Sequence, residues 1–175
     1  MRTFQYQSSV TTHEELRDVY DYTAQILGSD IISYEQFSEM QKINKNISHN
    51  VQIIDDEATS KIKGFLSFSF LTKEAVDGLQ KQTLTTMQLS GEHQVSEDDR
   101  PAAIYIGAVG ACPKDMNARI HTMRYFFKTV SAYKENYDCA IMARPVSDIG
   151  MKITSSLKLK PMHEQAGLGA LYIGR

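Results

Sequence analysis

Apolar residues along this chain follow two rhythms. Phe4-Gln-Tyr6-Gln-Ser8 alternates one by one, which predicts a first strand. From Leu16 the spacing changes to threes and fours: Leu16, Val19, Tyr20, Thr23, Ile26 and Leu27 form one stripe of a helix. Its start, Thr12-His-Glu-Glu15, has the capping-box form, and Gly28 closes it. Ser33-Tyr-Glu-Gln36 repeats the box, and Phe37, Met40 and Ile43 carry a second helix to about Asn44. Val51–Ile54 and Ile62–Leu71 then read as the arms of a hairpin around the acidic turn 55–60. In the second arm Leu66, Phe68 and Phe70 make the core face, and Phe65, Ser67 and Ser69 the opposite one.

The most informative stretch is 101–130. Ala102 to Cys112 is a run of small and β-branched residues, too apolar for simple alternation, and predicts a strand buried on both faces. Pro113, which cannot donate to a ladder, ends it. After the polar loop Lys114-Asp-Met-Asn117, the residues Ile120, Met123, Phe127 and Val130 recur at helical spacing and predict a helix over 119–133. A helix N-terminus aimed back at a strand end gathers free N–H groups and the positive end of the helix dipole, so this unit is an anion-binding device. Gly107 and Gly110 suit a strand that is approached closely, either by a ligand or by packing.

Residues 72–100 are harder to read. Thr72 to Leu79 predicts a short helix, Thr83 to Met87 a helix or strand, and Ser90 to Asp99 an exposed acidic loop. A connection of this length is functional, mobile or simply solvated. Further on, Asp138–Ala143 predicts a short buried strand, parallel to the central one because a helix crosses between them. Ser147 or Asp148 caps another helix, with Ile149, Ile153, Leu157 and Met151 on its apolar side. His163 to Gly169 reads as a turn, including Gly167, before a last strand Ala170–Ile173.

Length and composition narrow the function classes. The 175 residues suit one domain, 1–175, carrying an insert at about 72–100. A formal net charge of −2 argues against nucleic-acid binding through a basic surface. No apolar run reaches the ~20 residues of a membrane span, and Met1-Arg2-Thr3-Phe4-Gln5 lacks the apolar stretch of a secretory signal. Cys112 and Cys139 read as reduced, buried thiols, which sets the expectation of a cytoplasmic protein. No Cys/His spacing suits zinc, so no metal is expected. Tyr105 reads as core, His121 as an exposed residue of a helix face, and His163 as a weak substrate-side base.

The element order and two local registers together resemble the GCN5-related N-acetyltransferase (GNAT) superfamily. One register is Ala102 to Pro113 with its following loop and helix. The other is Ser147-x-x-Gly150-x-x-Ile153-Thr154-x-x-Leu157-Lys158-Leu159. The resemblance implies an α/β (α+β) domain with a mixed, mostly antiparallel central sheet, a parallel pair at the cofactor cleft and flanking helices. It also implies transfer of an acetyl or other acyl group from CoA to a small-molecule or peptide amine, in a protein that could form a homodimer.

On the same resemblance, Val109, Gly110 and Ala111 would line the pantetheine arm. Lys114, Asn117, Ala118 and Arg119 would hold the pyrophosphate. The family's loop pattern is not kept here: Met116 stands at its Arg/Gln position, and Arg119 and His121 stand where it has small residues, glycine above all. The loop therefore either binds CoA through side chains, a guanidinium being well suited to phosphate, or has lost it and left a non-catalytic module that binds a small ligand or protein in the same cleft. Thr154 stands where the family often has a tyrosine acid. It and Asp148 are the catalytic candidates, and the general acid is otherwise unassigned.

Overall fold

The computed structural model describes residues 5–55, 59–165 and 169–175. Among them, strands β1 (Gln5–Val10), β2 (Ser48–Ile54), β3 (Ser60–Leu71), β4 (Ala103–Ala111), β5 (Ala140–Ala143), β6 (Lys160–Gln165) and β7 (Gly169–Gly174) form one sheet in the order β1-β2-β3-β4-β5-β7-β6. Every neighbouring pair is antiparallel except β4 with β5. Helices α1 (Leu16–Leu27), α2 (Tyr34–Ile43), α3 (Lys73–Gln80), α4 (Met116–Tyr137) and α5 (Asp148–Ser156) complete the mixed α/β architecture that the element order implies. No helix among the described residues is long and apolar enough to cross a membrane.

Both capping boxes form. Thr12 N–H donates to Glu15 Oε2 at 2.9 Å, and Glu15 N–H donates to Thr12 Oγ1 at 3.3 Å. Burial alone would raise the Glu15 pKa, but bonds from Thr12, from Gln52 Nε2 at 2.8 Å and from Asn50 Nδ2 at 3.3 Å outweigh it and hold the carboxyl below its ordinary value. These same bonds tie the start of α1 to β2. At the head of α2, Gln36 closes the second box with Ser33 and also donates to the Met87 and Leu89 carbonyls, at 3.1 and 2.9 Å. One residue thus caps a helix and anchors the 72–100 insert.

The insert is not the solvated loop expected over 90–99. The 83–87 patch becomes a single 3₁₀ turn at Thr86–Gln88, and a second turn spans Gly91–His93. β2 begins opposite Ser67, so β3 runs past it with an unpaired edge. Gln94 and Val95 fill that edge: Gln94 Oε1 accepts from Phe70 N–H and Val95 N–H donates to Phe70 O, both at 2.8 Å. A buried edge left without partners would be costly, and this repair stitches the insert to the sheet.

α4 shows where the pattern misleads. It spans Met116–Tyr137, and its buried residues are Ala118, Thr122, Phe126, Thr129, Val130 and Tyr133. Of the expected stripe, Ile120 is 44% and Phe127 37% exposed, while Phe126 is wholly buried and stacked on Phe68. The sheet offers this helix polar and aromatic partners, so threonines and a tyrosine go inward. Thr122 packs against Gly64, where any Cβ would collide with it. α5 departs likewise: Ile149 and Met151 are exposed, and Ile153 and Thr154 are buried. Ile43 is exposed on α2, and Gln41 is buried with its amide on the Thr11 carbonyl at 3.0 Å. On β3 both faces are covered, Phe65 lying edge-on to Tyr22 of α1. The expected turn at 163–169 is partly strand, His163–Gln165 belonging to β6, while Gly167 lies outside the described residues.

A buried titratable group under α4 is His49 of β2, which is 3% exposed. Its Nδ1 lies 2.8 Å from the Tyr125 hydroxyl, and its Nε2 lies 2.8 Å from the Tyr133 hydroxyl and 3.0 Å from the Asn46 carbonyl. A carbonyl only accepts, so the proton belongs on Nε2 and Nδ1 accepts from Tyr125. Burial pushes the His49 pKa down to about 4, only partly opposed by the Asn46 carbonyl.

The unfolded chain takes up this proton near pH 6.5 and the folded chain does not until about 4, so stability is full above 6.5 and falls as pH drops through that window. Denaturant titrations should lose about 3 kcal/mol between pH 7 and 4 from this group. His49→Gln should remove that component of the pH dependence while lowering stability at pH 7; an unchanged acid slope would contradict the assignment. Gly110→Ala, which drives a Cβ into the Phe65 ring, should cost about 1–3 kcal/mol by the same measurement.

Candidate functional site

β4 and β5 stay paired from Ala103↔Ala140 to Ile106↔Ala143 and then part. β5 stops because the chain turns away at Arg144-Pro145, while β4 runs on to Ala111. At the point of parting, β4 bulges: Phe68 faces Ile106 and Ser67 faces Ala108, leaving Gly107 unopposed and exposed. A Cβ on Gly107 would sit 2.7 Å from Ser67 Oγ. Further along, Cys112 N–H donates to Lys63 O across the β3 edge. By strand alternation, Ala111 and Val109 then turn their backbone groups to the side that β5 has vacated. Gly110 sits beneath the Phe65 ring, so packing explains that glycine. The strand expected to be buried on both faces is therefore buried only over Ala103–Ile106 and half-open beyond.

Beside the parting lies a cavity of about 70 Å³. Gly107, Ala108 and Ser67 form its sheet wall. Val19, Ile32, Phe37 and Met40 come from α1, α2 and their connection, and Leu89 and Met87 from the insert. Its polar end is made by Arg144, Thr86 and Tyr105. Arg144 Nε donates to Thr86 Oγ1 at 2.9 Å, and its Nη2 lies 3.8 Å from Met87 Sδ. Burial raises the Tyr105 pKa, and the nearby Arg144 charge with bonds to Thr86 and Arg144 partly offsets that rise. Asp30 lines the cavity from an exposed position.

The tip of α4 is where the anion-binding expectation meets a competitor. Asp115 caps the helix, accepting from Ala118 N–H at 2.9 Å. Tyr6 donates to the same carboxylate at 2.8 and 3.0 Å, and Lys63 Nζ lies 3.9 Å away. The bond from the Ala118 amide, then the one from Tyr6 and the Lys63 charge, hold the Asp115 pKa below its usual value against desolvation. Burial and the Asp115 bond push the Tyr6 pKa up to about 12. The chain thus supplies its own anion to the helix N-terminus.

Lys114, Asn117 and Arg119 are exposed around this cap, and Ala118 is fully buried beneath it. His121 is half-buried, stacked on Tyr6 with ring centroids 5.7 Å apart. Cys112 and Cys139 are free thiols, Cys112 half-buried and Cys139 buried. On α5, Ser147 rather than Asp148 is the cap, and Asp148 is exposed in the first turn. Thr154 is 2% exposed, and its hydroxyl donates to the Gly150 carbonyl at 2.8 Å within its own helix. His163 lies on β6, opposite Leu171, and does not line the cavity.

Arg144, Thr86 and Asp30 were not readable as site residues. Arg144 looked like a strand terminator before Pro145, and Thr86 belonged to the least patterned stretch. The available signal was positional: a cation one residue past a short parallel strand.

No family model matches the sequence, and no curated protein matches it. Solved structures do match in fold over nearly the whole chain. The loading GNATL domain of CurA from Lyngbya majuscula is 12% identical, with a TM-score of 0.63 over 97% of this chain and 96% of that one. The ribosomal-protein-S18-alanine N-acetyltransferase from Escherichia coli is 11% identical, at 0.56 over 97% and 91%. FeeM, an N-acyl amino acid synthase from uncultured soil microbes, is 10% identical, at 0.54 over 99% and 90%. With its antiparallel sheet, single parallel pair and parting at Gly107, the chain has the fold of the GCN5-related N-acetyltransferases.

Proposed function

We propose that the protein is an N-acyltransferase that moves an acetyl or other acyl group from a CoA thioester directly to an amine. The observation that carries this reading is the parting of β4 and β5 at Gly107, an open backbone edge on one side and a partly open cavity on the other. A thioester arm lying along Val109–Ala111 would present its carbonyl at the parting, and an amine in the cavity would meet it there. The amine nitrogen attacks the carbonyl carbon, the C–N bond forms and the C–S bond breaks. The sulfur leaves with the bonding pair and takes up a proton, and the amine nitrogen releases one. A thioester is already activated, so holding both partners in line supplies much of the rate. Thr154 is an unsuitable acid as placed, because its hydroxyl is spent on Gly150. Several neighbours of this fold are named as acyltransferases, which supports the reading by fold analogy.

The helix tip sets how the donor is held. With Asp115 already on the Ala118 N–H, pyrophosphate is better served by the exposed Lys114 and Arg119 side chains than by the first backbone amides of α4. The same carboxylate favours a second reading, a non-catalytic module that binds another ligand in the cleft.

Thermal shift with CoA and acetyl-CoA, followed by thiol release with an amine panel, separates the two. Ligand at about 100 times its dissociation constant adds about 2.7 kcal/mol. A clear shift and amine-dependent thiol release are expected, and no shift with any acyl-CoA would leave the module reading. Asp115→Asn keeps an acceptor oxygen but removes the charge, and should tighten CoA binding by about two- to fivefold. Arg119→Ala should weaken CoA binding more than Lys128→Ala; equal effects would count against the assigned pocket.

A further inference from the structure

We propose that residues 85–91 of the insert are a gate over the acceptor cavity, shut in this structure and latched by side chains to α2 and to the end of β5, so that the amine enters when this segment lifts. The acceptor role of the cavity rests on the acyltransferase reading; the gate itself does not.

Size demands a moving wall. A cavity of about 70 Å³ has room for about two water molecules, and an amine that carries a side chain does not fit. Yet the cavity lies beside the parting of β4 and β5, where a thioester carbonyl would stand. Its sheet wall, Ser67, Gly107 and Ala108, belongs to the β3–β4 ladder, and Val19, Phe37 and Met40 stand on two helices. The α1–α2 connection is pinned by the Tyr20 hydroxyl, which donates to the Ile32 carbonyl at 2.8 Å. The remaining wall is Thr86, Met87 and Leu89, on and beside a single 3₁₀ turn.

That wall is anchored at both ends and latched between them. At its near end, Thr83 and Leu84 N–H donate to the Gly78 carbonyl at 2.9 and 3.1 Å, and Gln82 takes a φ of +60°, a left-handed conformation that glycine usually supplies. At its far end, Gln94 and Val95 are bonded to the backbone of Phe70. Between these anchors the ties to the rest of the domain run through side chains. Gln36 Nε2 donates to the Met87 and Leu89 carbonyls at 3.1 and 2.9 Å. Arg144 Nε donates to Thr86 Oγ1 at 2.9 Å, and the Tyr105 side chain is bonded to both residues of that pair. Side-chain ties part without breaking a strand ladder, so this stretch opens while the sheet stays whole. Its internal bonds, Thr85 N–H to Gln88 Oε1 and Gln88 N–H to the Thr85 carbonyl, travel with it. The insert thereby controls entry to the cavity, and Arg144 and Gln36 serve as its two latches.

The test uses the full chain, amide hydrogen exchange and one engineered disulfide. In the wild-type protein, the Thr85 and Gln88 amides should exchange at least about tenfold faster than those of β3 and β4, with little dependence on denaturant, as a local opening does. Gln36→Glu keeps the capping box with Ser33 but has no N–H for Met87 and Leu89. It should speed exchange at Thr85 and Gln88 by at least about tenfold and leave the sheet amides unchanged. A Cβ on Gly91 would lie 3.6 Å from Glu39 Cβ, within disulfide reach. Oxidised E39C/G91C should slow exchange at Thr85 and Gln88 and stop acetylation of the amine panel by acetyl-CoA, and reduction should restore both. Exchange that follows global unfolding, no effect of Gln36→Glu, or undiminished acetylation by the oxidised protein would overturn the gate. An opening that the disulfide closes, in a protein that acetylates no amine, would sink the transferase reading and leave the gate standing. Acetylation that the disulfide does not touch would do the reverse.

Discussion

Two parallel strands that hold together up to Ile106 and Ala143 and then separate create the space on which the rest of this molecule depends. Parallel pairing requires a crossover connection, and the helix that supplies it here, α4, starts at the end of the longer strand. The shorter strand must turn away, and Arg144-Pro145 turns it. One topological fact thus gives an open backbone edge, a helix tip beside it and a cation at its foot. The bulge at Gly107 marks the place where β4 changes from a buried strand to a half-open one.

Around that opening the chain makes two opposite electrostatic choices. At the α4 tip it places a carboxylate, Asp115, locked by Tyr6 and by the Ala118 amide. At the far side it places a guanidinium, Arg144, locked by Thr86. A bare helix N-terminus would attract any phosphate; a capped one has its first free amides already engaged. Helix tip and cavity floor therefore differ in charge, and neither charge follows from the fold alone.

The large elements were legible because local signals and tertiary packing agree on them. Thr12–Glu15 and Ser33–Gln36 form the boxes their spacing announces, and Gly28 takes the positive φ that a helix-ending glycine permits. The central strand, its crossover helix and the parallel pair were equally readable. What failed was the choice of buried face. On α4, Phe126 and Phe127 are adjacent and chemically alike, and the decision goes to Phe126 because Phe68 lies beneath it. Thr122 and Tyr133 go inward because Gly64 and His49 receive them. Such pairings span the chain and leave no periodicity in it. The insert was opaque for the same reason: Gln94 looks like a loop residue until β3 is seen to lack a neighbour at Phe70. At the site, the glycines at 107 and 110 suggested close approach, and the sheet assigns one to a bulge and the other to the Phe65 ring. The cavity cation came from a residue that sequence alone marks only as the end of a strand.

If this protein transfers acyl groups, the vacated edge of β4 receives a thioester. Hydrogen exchange of the backbone amides over Gly107–Ala111, followed with and without acetyl-CoA, tests this directly. Added acetyl-CoA should slow exchange at Val109 and Ala111, whose amides face the opening, more than elsewhere in the sheet. Unchanged exchange along this strand, or protection confined to a surface away from it, would contradict the account.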